Sequence, residues 1–175
     1  MDFKLSVSNM HLKLIFAFSI TASITALAAG PQRAAIDQDI SQLVNLFGDG
    51  IAVSAPYQRH IVYGKVLGSV RDDAVAFFSI EGFHGGNYHA EYVAIFEALN
   101  PERMNGRNTK PFRLIGVTQI GGRGQRTLDW KSAKLTQGSV TVSGKKWADA
   151  DAGCCPSIST TAKFRVSGSS VFEVR

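Results

Sequence analysis

Apolar residues recur at helical spacing near the start of the chain, within residues 34–47. These residues are Ile36, Ile40, Leu43, Val44 and Phe47. The spacings of four, three, one and three residues place them on one side of a helix. Asp37 and Asp39 fall in the first turn, where carboxylates suit the helix dipole, and Gly48 follows the last apolar position. The pattern predicts a helix from Ala34 to Phe47.

Beyond residue 73 the pattern becomes that of β-strands. Ala74–Phe83 and Tyr88–Leu99 are rich in Phe, Tyr, Val and Ile and flank a Gly-Gly turn, which favours a β-hairpin. Further strand-like runs follow at hairpin spacing: Phe112–Ile120, Gln125–Leu135, Ser139–Trp147, Ile158–Val166 and Ser170–Arg175. Strands and helices do not alternate, so a parallel sheet is not expected. We expect an α+β fold with one N-terminal helix packed on a curved, mostly antiparallel sheet of six or seven strands.

The first 28 residues have the three parts of a secretory signal peptide. Lys4 and Lys13 precede the apolar run Leu14–Ile24, and Ala26-Leu27-Ala28 provides a small-x-small cleavage site. The apolar run is shorter than a membrane span, so we expect no stable membrane insertion. The alternative is a buried N-terminal helix. We expect cleavage after Ala28, a single globular domain over residues 29–175, and a periplasmic or secreted protein; either Met1 or Met10 would serve as the start.

The number and distribution of charged residues limit the kinds of partner that the protein could bind. The 175 residues carry 19 Lys and Arg against 14 Asp and Glu, for a net charge of +5. These charges are spread along the chain without a basic run, so we expect a solvated surface, no nucleic-acid binding and at most weak attraction to an acidic partner. The sequence leaves the oligomeric state open.

The two cysteines are adjacent, at Cys154 and Cys155. In an exported protein the pair has three readings: a vicinal disulfide, two free or intermolecular thiols, or a redox or soft-metal site. The spacing differs from the C-x-x-C of redox enzymes and zinc knuckles. We predict the vicinal disulfide.

The segment Asp151-Ala152-Gly153-Cys154-Cys155-Pro156-Ser157, followed by the strand Thr160–Val166, resembles the C-terminus of a group of uncharacterised exported bacterial proteins. That group shares an Asp-x-x-Cys-Cys-Pro-Ser/Thr motif before a final hairpin, and the resemblance extends over residues 64–175. It implies export and a β-rich fold, and it implies no activity.

The tip of the first hairpin carries candidate chemistry. If Ile80 pairs with Glu91, then His84, His89 and Glu91 share one face. Two imidazoles and a carboxylate are the ligand set of a catalytic zinc site. The alternatives are a solvated polar tip and general acid or base use of Glu81, His84 or Glu91.

A glycine-rich turn, Gly121-Gly122-Arg123-Gly124-Gln125-Arg126, is the other candidate. Its backbone amides with Arg123 and Arg126 could hold an anion, although no Lys-Ser/Thr follows as in a phosphate-binding loop. The alternative is a hairpin turn that needs positive φ.

No G-x-S-x-G motif and no ordered triad is present, and we assign no catalytic residue, metal or cofactor. The sequence favours a non-enzymatic envelope protein: a binding, inhibitor or immunity-type module whose partner is another envelope or secreted protein. Its expected ligand or partner surface comprises His84, His89, Glu91, Arg123 and Arg126. The alternatives are a small metal-dependent envelope hydrolase that uses His84, His89 and Glu91, and a thiol- or metal-handling protein that uses Cys154 and Cys155.

Overall fold

The structure, a computed structural model, describes residues 20–49, 51–55, 58–100 and 110–174, with residues 20–29 and 31 described by their backbone alone. The expected helix over 34–47 is the C-terminal part of a longer helix, α1, which spans Ile20–Phe47. The helix continues through Pro31, where sequence rules place a start because proline lacks an amide donor. Cleavage after Ala28 would leave residues 29–47 of α1.

The apolar stripe of α1 is confirmed at four of its five positions. Ile36, Ile40, Leu43 and Val44 are buried and pack against one face of the sheet, whereas Phe47 is 40% exposed. That face is formed mainly by small and aromatic side chains of three strands, namely Ala74, Ala76, Phe78, Ile80, Ala94, Phe96 and Phe112. At the end of the helix Phe47 stacks on Tyr92 with ring centroids 5.5 Å apart.

The sheet has nine strands in the described part of the chain, and the prediction of six or seven is wrong. The strands are β1 His60–Gly64, β2 Asp73–Phe83, β3 Tyr88–Ala98, β4 Phe112–Gly122, β5 Arg126–Leu128, β6 Lys134–Thr136, β7 Ser139–Lys146, β8 Ile158–Ser167 and β9 Ser170–Val174. The predicted strand Gln125–Leu135 is two short strands, β5 and β6, because a 3₁₀ turn at Trp130–Ser132 interrupts it. β1 contains Ile61-Val62-Tyr63, whose sequence predicts a short extended segment, and it pairs with β2.

Every strand pair in the described residues is antiparallel, in the order β1-β2-β3-β4-β5-β7-β8-β9, with β6 added to β7. Side chains from both halves of this order meet in one core on the face opposite the helix, which shows that the sheet curls. Gly116 of β4 faces β9 closely enough that a Cβ atom there would lie 2.8 Å from Ser169 O. The curled sheet nevertheless stays open.

β2 lies between the two cores and is buried on both faces from Asp73 to Ile80. Val75 and Phe77 enter the core inside the curl, and Ala76 and Phe78 face α1. A strand covered on both faces has no polar alternation, which explains the continuous apolar run in its sequence. In the described part of the chain, no helix has both the length and the apolar character that crossing a membrane requires.

Candidate functional site

The β2–β3 hairpin contains a bulge that changes which side chains share a face. Phe83 pairs with Tyr88, but Glu81 pairs with His89 and Ser79 with Glu91. The predicted pairing of Ile80 with Glu91 is therefore wrong by one residue. The extra residue is Gly82, whose φ of 83° is accessible to glycine at little cost.

As a result of the bulge, Glu81 lies beside His89 and diagonal to Glu91 on the inner face of the sheet. These side chains line an open cleft of about 610 Å³ at the hairpin end of the curl. Its walls come from the segment before β1, the two hairpin strands and the 3₁₀ turn: Val53, Gln58, Ser79, Glu81, Gly82, Gly86, Asn87, His89, Glu91 and Trp130. We call this space the hairpin cleft.

Glu91 is the buried carboxyl of the hairpin cleft, with 5% of its surface exposed. Its Oε2 accepts a hydrogen bond from the amide of Leu128 at 3.2 Å. Burial raises the pKa of Glu91 from 4.5 to about 7, against the opposing effects of the Leu128 amide, the Trp130 indole and the charge of Arg126. Near neutral pH this carboxyl therefore exchanges between its acid and its ionised form.

The indole Nε1 of Trp130 is buried and makes no hydrogen bond with any residue that the structure describes. It lies close enough to Glu91 to favour the ionised carboxyl, but outside the geometry of a hydrogen bond, so Nε1 is an unpaired donor. The indole ring stacks against Phe77 with centroids 6.3 Å apart. Trp130 thus contributes an aromatic surface and an unused donor to the cleft.

Two glycines of β4 make room for the buried carboxyl. A Cβ atom on Gly121 would lie 2.8 Å from Glu91 Oε2, and one on Gly122 would lie 2.7 Å from His89 O. Gly122 also has a φ of 139°, which other residues rarely adopt. These glycines therefore serve the close approach of β3 and β4 beside Glu91.

Glu81 is held by its neighbours at the mouth of the cleft. Its Oε1 accepts from Gln58 Nε2 and from Ser79 Oγ, each at 3.0 Å. Its backbone exchanges two hydrogen bonds of 2.8 Å with Val53. The carboxylate is thus fixed in position near the C-terminal end of β2.

His84 does not join His89 and Glu91. It occupies the turn with a φ of 56°, and its side chain is 90% exposed with Nδ1 3.4 Å from Asp49 Oδ2. Asp49 also accepts from the His84 amide and from the amides of Ile51 and Ala52, and these hydrogen bonds lower its pKa to about 2. His84 therefore fastens the hairpin tip to the segment that follows α1.

Arg126 and Arg123 are engaged in contacts within the protein. The Arg126 guanidinium forms two hydrogen bonds of 2.7 Å with Glu173, contacts Ile120 O, and lies 5.8 Å from the centre of the Phe164 ring. Arg123 donates to the side chain of Asn87. These contacts tie β5 to β9 and the glycine turn to the hairpin tip.

Cys154 and Cys155 are placed as a vicinal disulfide in an exposed loop, with Cα atoms 3.8 Å apart. Asp151 organises this loop: its Oδ2 accepts from the amides of Ala148 and Ser157 and from Ser157 Oγ. These hydrogen bonds lower the pKa of Asp151. The loop is separate from the residues of the hairpin cleft.

Among the described residues, no three His, Cys, Asp or Glu side chains are grouped so as to hold a metal ion. His89 and Glu91 belong to the cleft, whereas Gln58, Ser79 and Trp130 were missed by sequence reasoning. Ser79 is a polar residue within the apolar run of β2, and this is a signal from which its place in a site is predictable. No sequence signal indicates that Trp130, from a distant part of the same chain, lies in the cleft.

Comparison of the chain with protein-family models, with curated proteins and with solved structures finds no match. The resemblance carried by the Cys-Cys-Pro-Ser segment therefore stays a prediction.

Proposed function

We propose that this protein is an exported, non-enzymatic binding module that holds its ligand or partner in the hairpin cleft. The observation that carries this proposal is the buried carboxyl of Glu91 at the wall of an open, polar-lined cleft. A carboxyl withdrawn from water needs hydrogen-bond partners, and a ligand in the cleft could provide those that the protein does not. Binding of this kind needs no nucleophile and no metal.

The proposed location follows from the N-terminal sequence. A basic segment, an apolar run and Ala26-Leu27-Ala28 favour export to the periplasm or the medium. We expect the exported protein to begin near Ala29, without a lipid, because no Cys follows the cleavage site. The intact mass of the protein recovered from the periplasm tests this: a mass that retains residues 1–28, or that includes a lipid, contradicts it.

Capture from a soluble envelope extract tests the cleft. The immobilised protein and a cleft-filling variant, Gly86→Trp, are exposed to the same extract, and bound molecules are identified by mass spectrometry. Gly86 lines the cleft, and a Cβ atom there meets only ordinary contacts. We expect a species that binds the parent protein and is lost with Gly86→Trp.

Gly153→Trp is the matched control. Gly153 lies in the disulfide loop, with no atom within 4 Å of an added Cβ. It should capture the same species as the parent. Equal capture by Gly86→Trp, or loss with Gly153→Trp alone, would show that the cleft is not the binding site.

A further inference from the structure

The hairpin cleft presents acceptors that the protein leaves unused. Gln58 and Ser79 both donate to Oε1 of Glu81, and Leu128 donates to Oε2 of Glu91. Within the described residues, no hydrogen bond reaches the second oxygen of either carboxyl, although Trp130 Nε1 lies close to Glu91 outside hydrogen-bond geometry. A ligand that brings hydrogen-bond donors can use these acceptors.

An aromatic surface lies beside these acceptors. Trp130 lines the cleft, and one side of its ring system packs against Phe77. Indole rings attract cations through the negative potential of their faces, and they also cover apolar stems. Trp130 therefore suits a ligand with a positive group and hydrocarbon next to it.

From these two features we propose that the hairpin cleft binds a primary ammonium group on an apolar stem, with N–H donors directed to Glu81 and Glu91 and the stem against Trp130. An ammonium has three donors and a full charge, which makes hydrogen bonds to carboxylates about twice as strong as neutral ones. The net positive charge of the protein opposes such a ligand only weakly, since salt screens distant charges within about 10 Å.

The proposal rests on the cleft being the ligand site of the proposed function, and it names the class of ligand. A matched series of probes tests it: pentylammonium, pentanol, pentyltrimethylammonium and pentanoate share one stem and differ in the head group. Pentanol has no charge, and the trimethylated cation has no N–H donor. We expect pentylammonium to bind at least about tenfold more tightly than the other three, the equivalent of one charge-assisted hydrogen bond.

The two tryptophans of the chain make the site of binding visible by NMR. The indole N–H signal of Trp130 should shift with pentylammonium, and that of Trp147, which lies in the disulfide loop, should not. Trp147 Nε1 donates to Ala152 O at 3.3 Å, away from the cleft residues. It is therefore an internal control for nonspecific binding.

Variants then test whether Glu81 and Glu91 accept the N–H donors of the ammonium group. Glu81→Gln and Glu91→Gln should each weaken pentylammonium binding about tenfold and leave pentanol binding unchanged. Glu97→Gln is the control: Glu97 lies on the same strand as Glu91 but outside the cleft, where it pairs with Arg113. It should bind pentylammonium like the parent protein.

The pH dependence is a further readout. An ammonium needs ionised carboxyls, so affinity should rise about tenfold or more from pH 5 to pH 8. Other charged or titratable groups of this cleft and of the pocket that adjoins it at Trp130 are Glu81, His89, Arg59, His60, Asp129 and Lys131, with Arg126 also acting on Glu91. The part of the slope that Glu91→Gln removes belongs to Glu91.

Equal affinities for pentylammonium and pentanol, or unchanged binding in both glutamine variants, would overturn the ammonium proposal. The proposed function would still stand if Gly86→Trp abolishes capture from the extract. If the cleft-filling variant captures everything the parent does, the proposed function fails as well.

Discussion

Two buried carboxyls lie at opposite ends of the β2–β3 hairpin, and the protein treats them differently. Asp73, at the start of β2, accepts from the amides of Val66 and Leu67, from Ser69 Oγ and from the amide of Ala98. Glu91, near the hairpin tip, accepts within the described part of the chain from the amide of Leu128 alone, and it lines an open cleft. Asp73 is fully buried and supplied with four donors, whereas Glu91 is nearly as buried with one.

The difference separates a structural carboxyl from a candidate functional one. Four donors satisfy the carboxylate of Asp73. Three of them come from the segment between β1 and β2, so Asp73 holds this connection in place. The single donor of Glu91 leaves hydrogen-bonding capacity toward the cleft, where burial keeps the pKa near 7. The count of donors, and not burial alone, indicates which of the two ends can bind a ligand.

The extreme of this comparison is a buried carboxyl with no donors at all. Ile40→Asp creates one, because Ile40 is fully buried among apolar side chains between α1 and the sheet. We expect it to lower the free energy of unfolding by about 4 kcal/mol or more. Chemical denaturation at pH 7 measures the change.

Leu46→Asp provides the control for this substitution, because Leu46 is 75% exposed on the same helix. It should unfold within about 1 kcal/mol of the parent protein, a cost that comes from a negative charge in the last turn of the helix. An equal effect of both substitutions would show that the helix does not bury the stripe containing Ile40.

Removing acceptors from the satisfied end should also be costly. Asp73→Asn replaces one oxygen by an amide donor that faces other donors, so a buried amide such as that of Val66 loses its partner. We expect a loss of about 3 kcal/mol in unfolding free energy at pH 7.

Its neighbour provides the contrast for that experiment. Asp72 has a side chain that is 59% exposed and pairs with Lys65 at 3.2 Å, so Asp72→Asn should cost less than about 1 kcal/mol. If Asp73→Asn is as mild as Asp72→Asn, the four hydrogen bonds do not stabilise the fold as argued.

Much of this fold follows from local patterns in the sequence. The helical stripe from Ile36 to Val44 and the runs that form β2 and β3 were predictable because each follows the period of its element. The number of strands was not, because the 3₁₀ turn at Trp130 depends on contacts such as the pairing of Asp129 with Ser143, fourteen positions away along the chain. A local pattern contains no record of such contacts.

The candidate site was predictable only in part. His89 and Glu91 were identified by their chemistry, but their partner on β2 is Glu81 and not His84, because the bulge at Gly82 shifts the register. A period of two amplifies a shift of one residue into a change of face. Trp130 comes from a separate part of the chain and reaches the cleft only through the curl of the sheet.

At the cleft end, the effect of Glu91 on the free energy of unfolding should depend strongly on pH. The pKa of Glu91 is about 7 in the folded protein against 4.5 ordinarily. Its contribution to stability is therefore complete below pH 4.5 and is lost as the pH rises through 7. The full change amounts to about 3 kcal/mol.

Glu91→Gln removes this titration while it preserves shape. The unfolding free energy of the parent, relative to that of Glu91→Gln, should fall by about 3 kcal/mol between pH 4.5 and pH 8. Urea unfolding at several pH values measures it, with Glu97→Gln as the control. Parallel pH profiles for the parent and Glu91→Gln would contradict a neutral, buried Glu91.

The smallest effect is expected at the disulfide loop, which resembles the Asp73 end in its hydrogen bonding but lies at the surface. Asp151 organises this loop by accepting three hydrogen bonds, so its shape does not depend on the sulfur atoms alone. A bond between neighbours closes too short a ring to restrict the unfolded chain appreciably. Cys154→Ser combined with Cys155→Ser should therefore keep the fold and lower stability by no more than about 1–2 kcal/mol.

Thiol titration of the exported, unfolded and unreduced protein tests the bond itself. No other cysteine is present in the chain, so an intramolecular bond leaves no reactive thiol. Two reactive thiols per chain, or a covalent dimer on a non-reducing gel, would contradict the vicinal disulfide. A double serine variant that also loses pentylammonium binding would connect this loop to the hairpin cleft, whereas the separation of the two regions predicts unchanged binding.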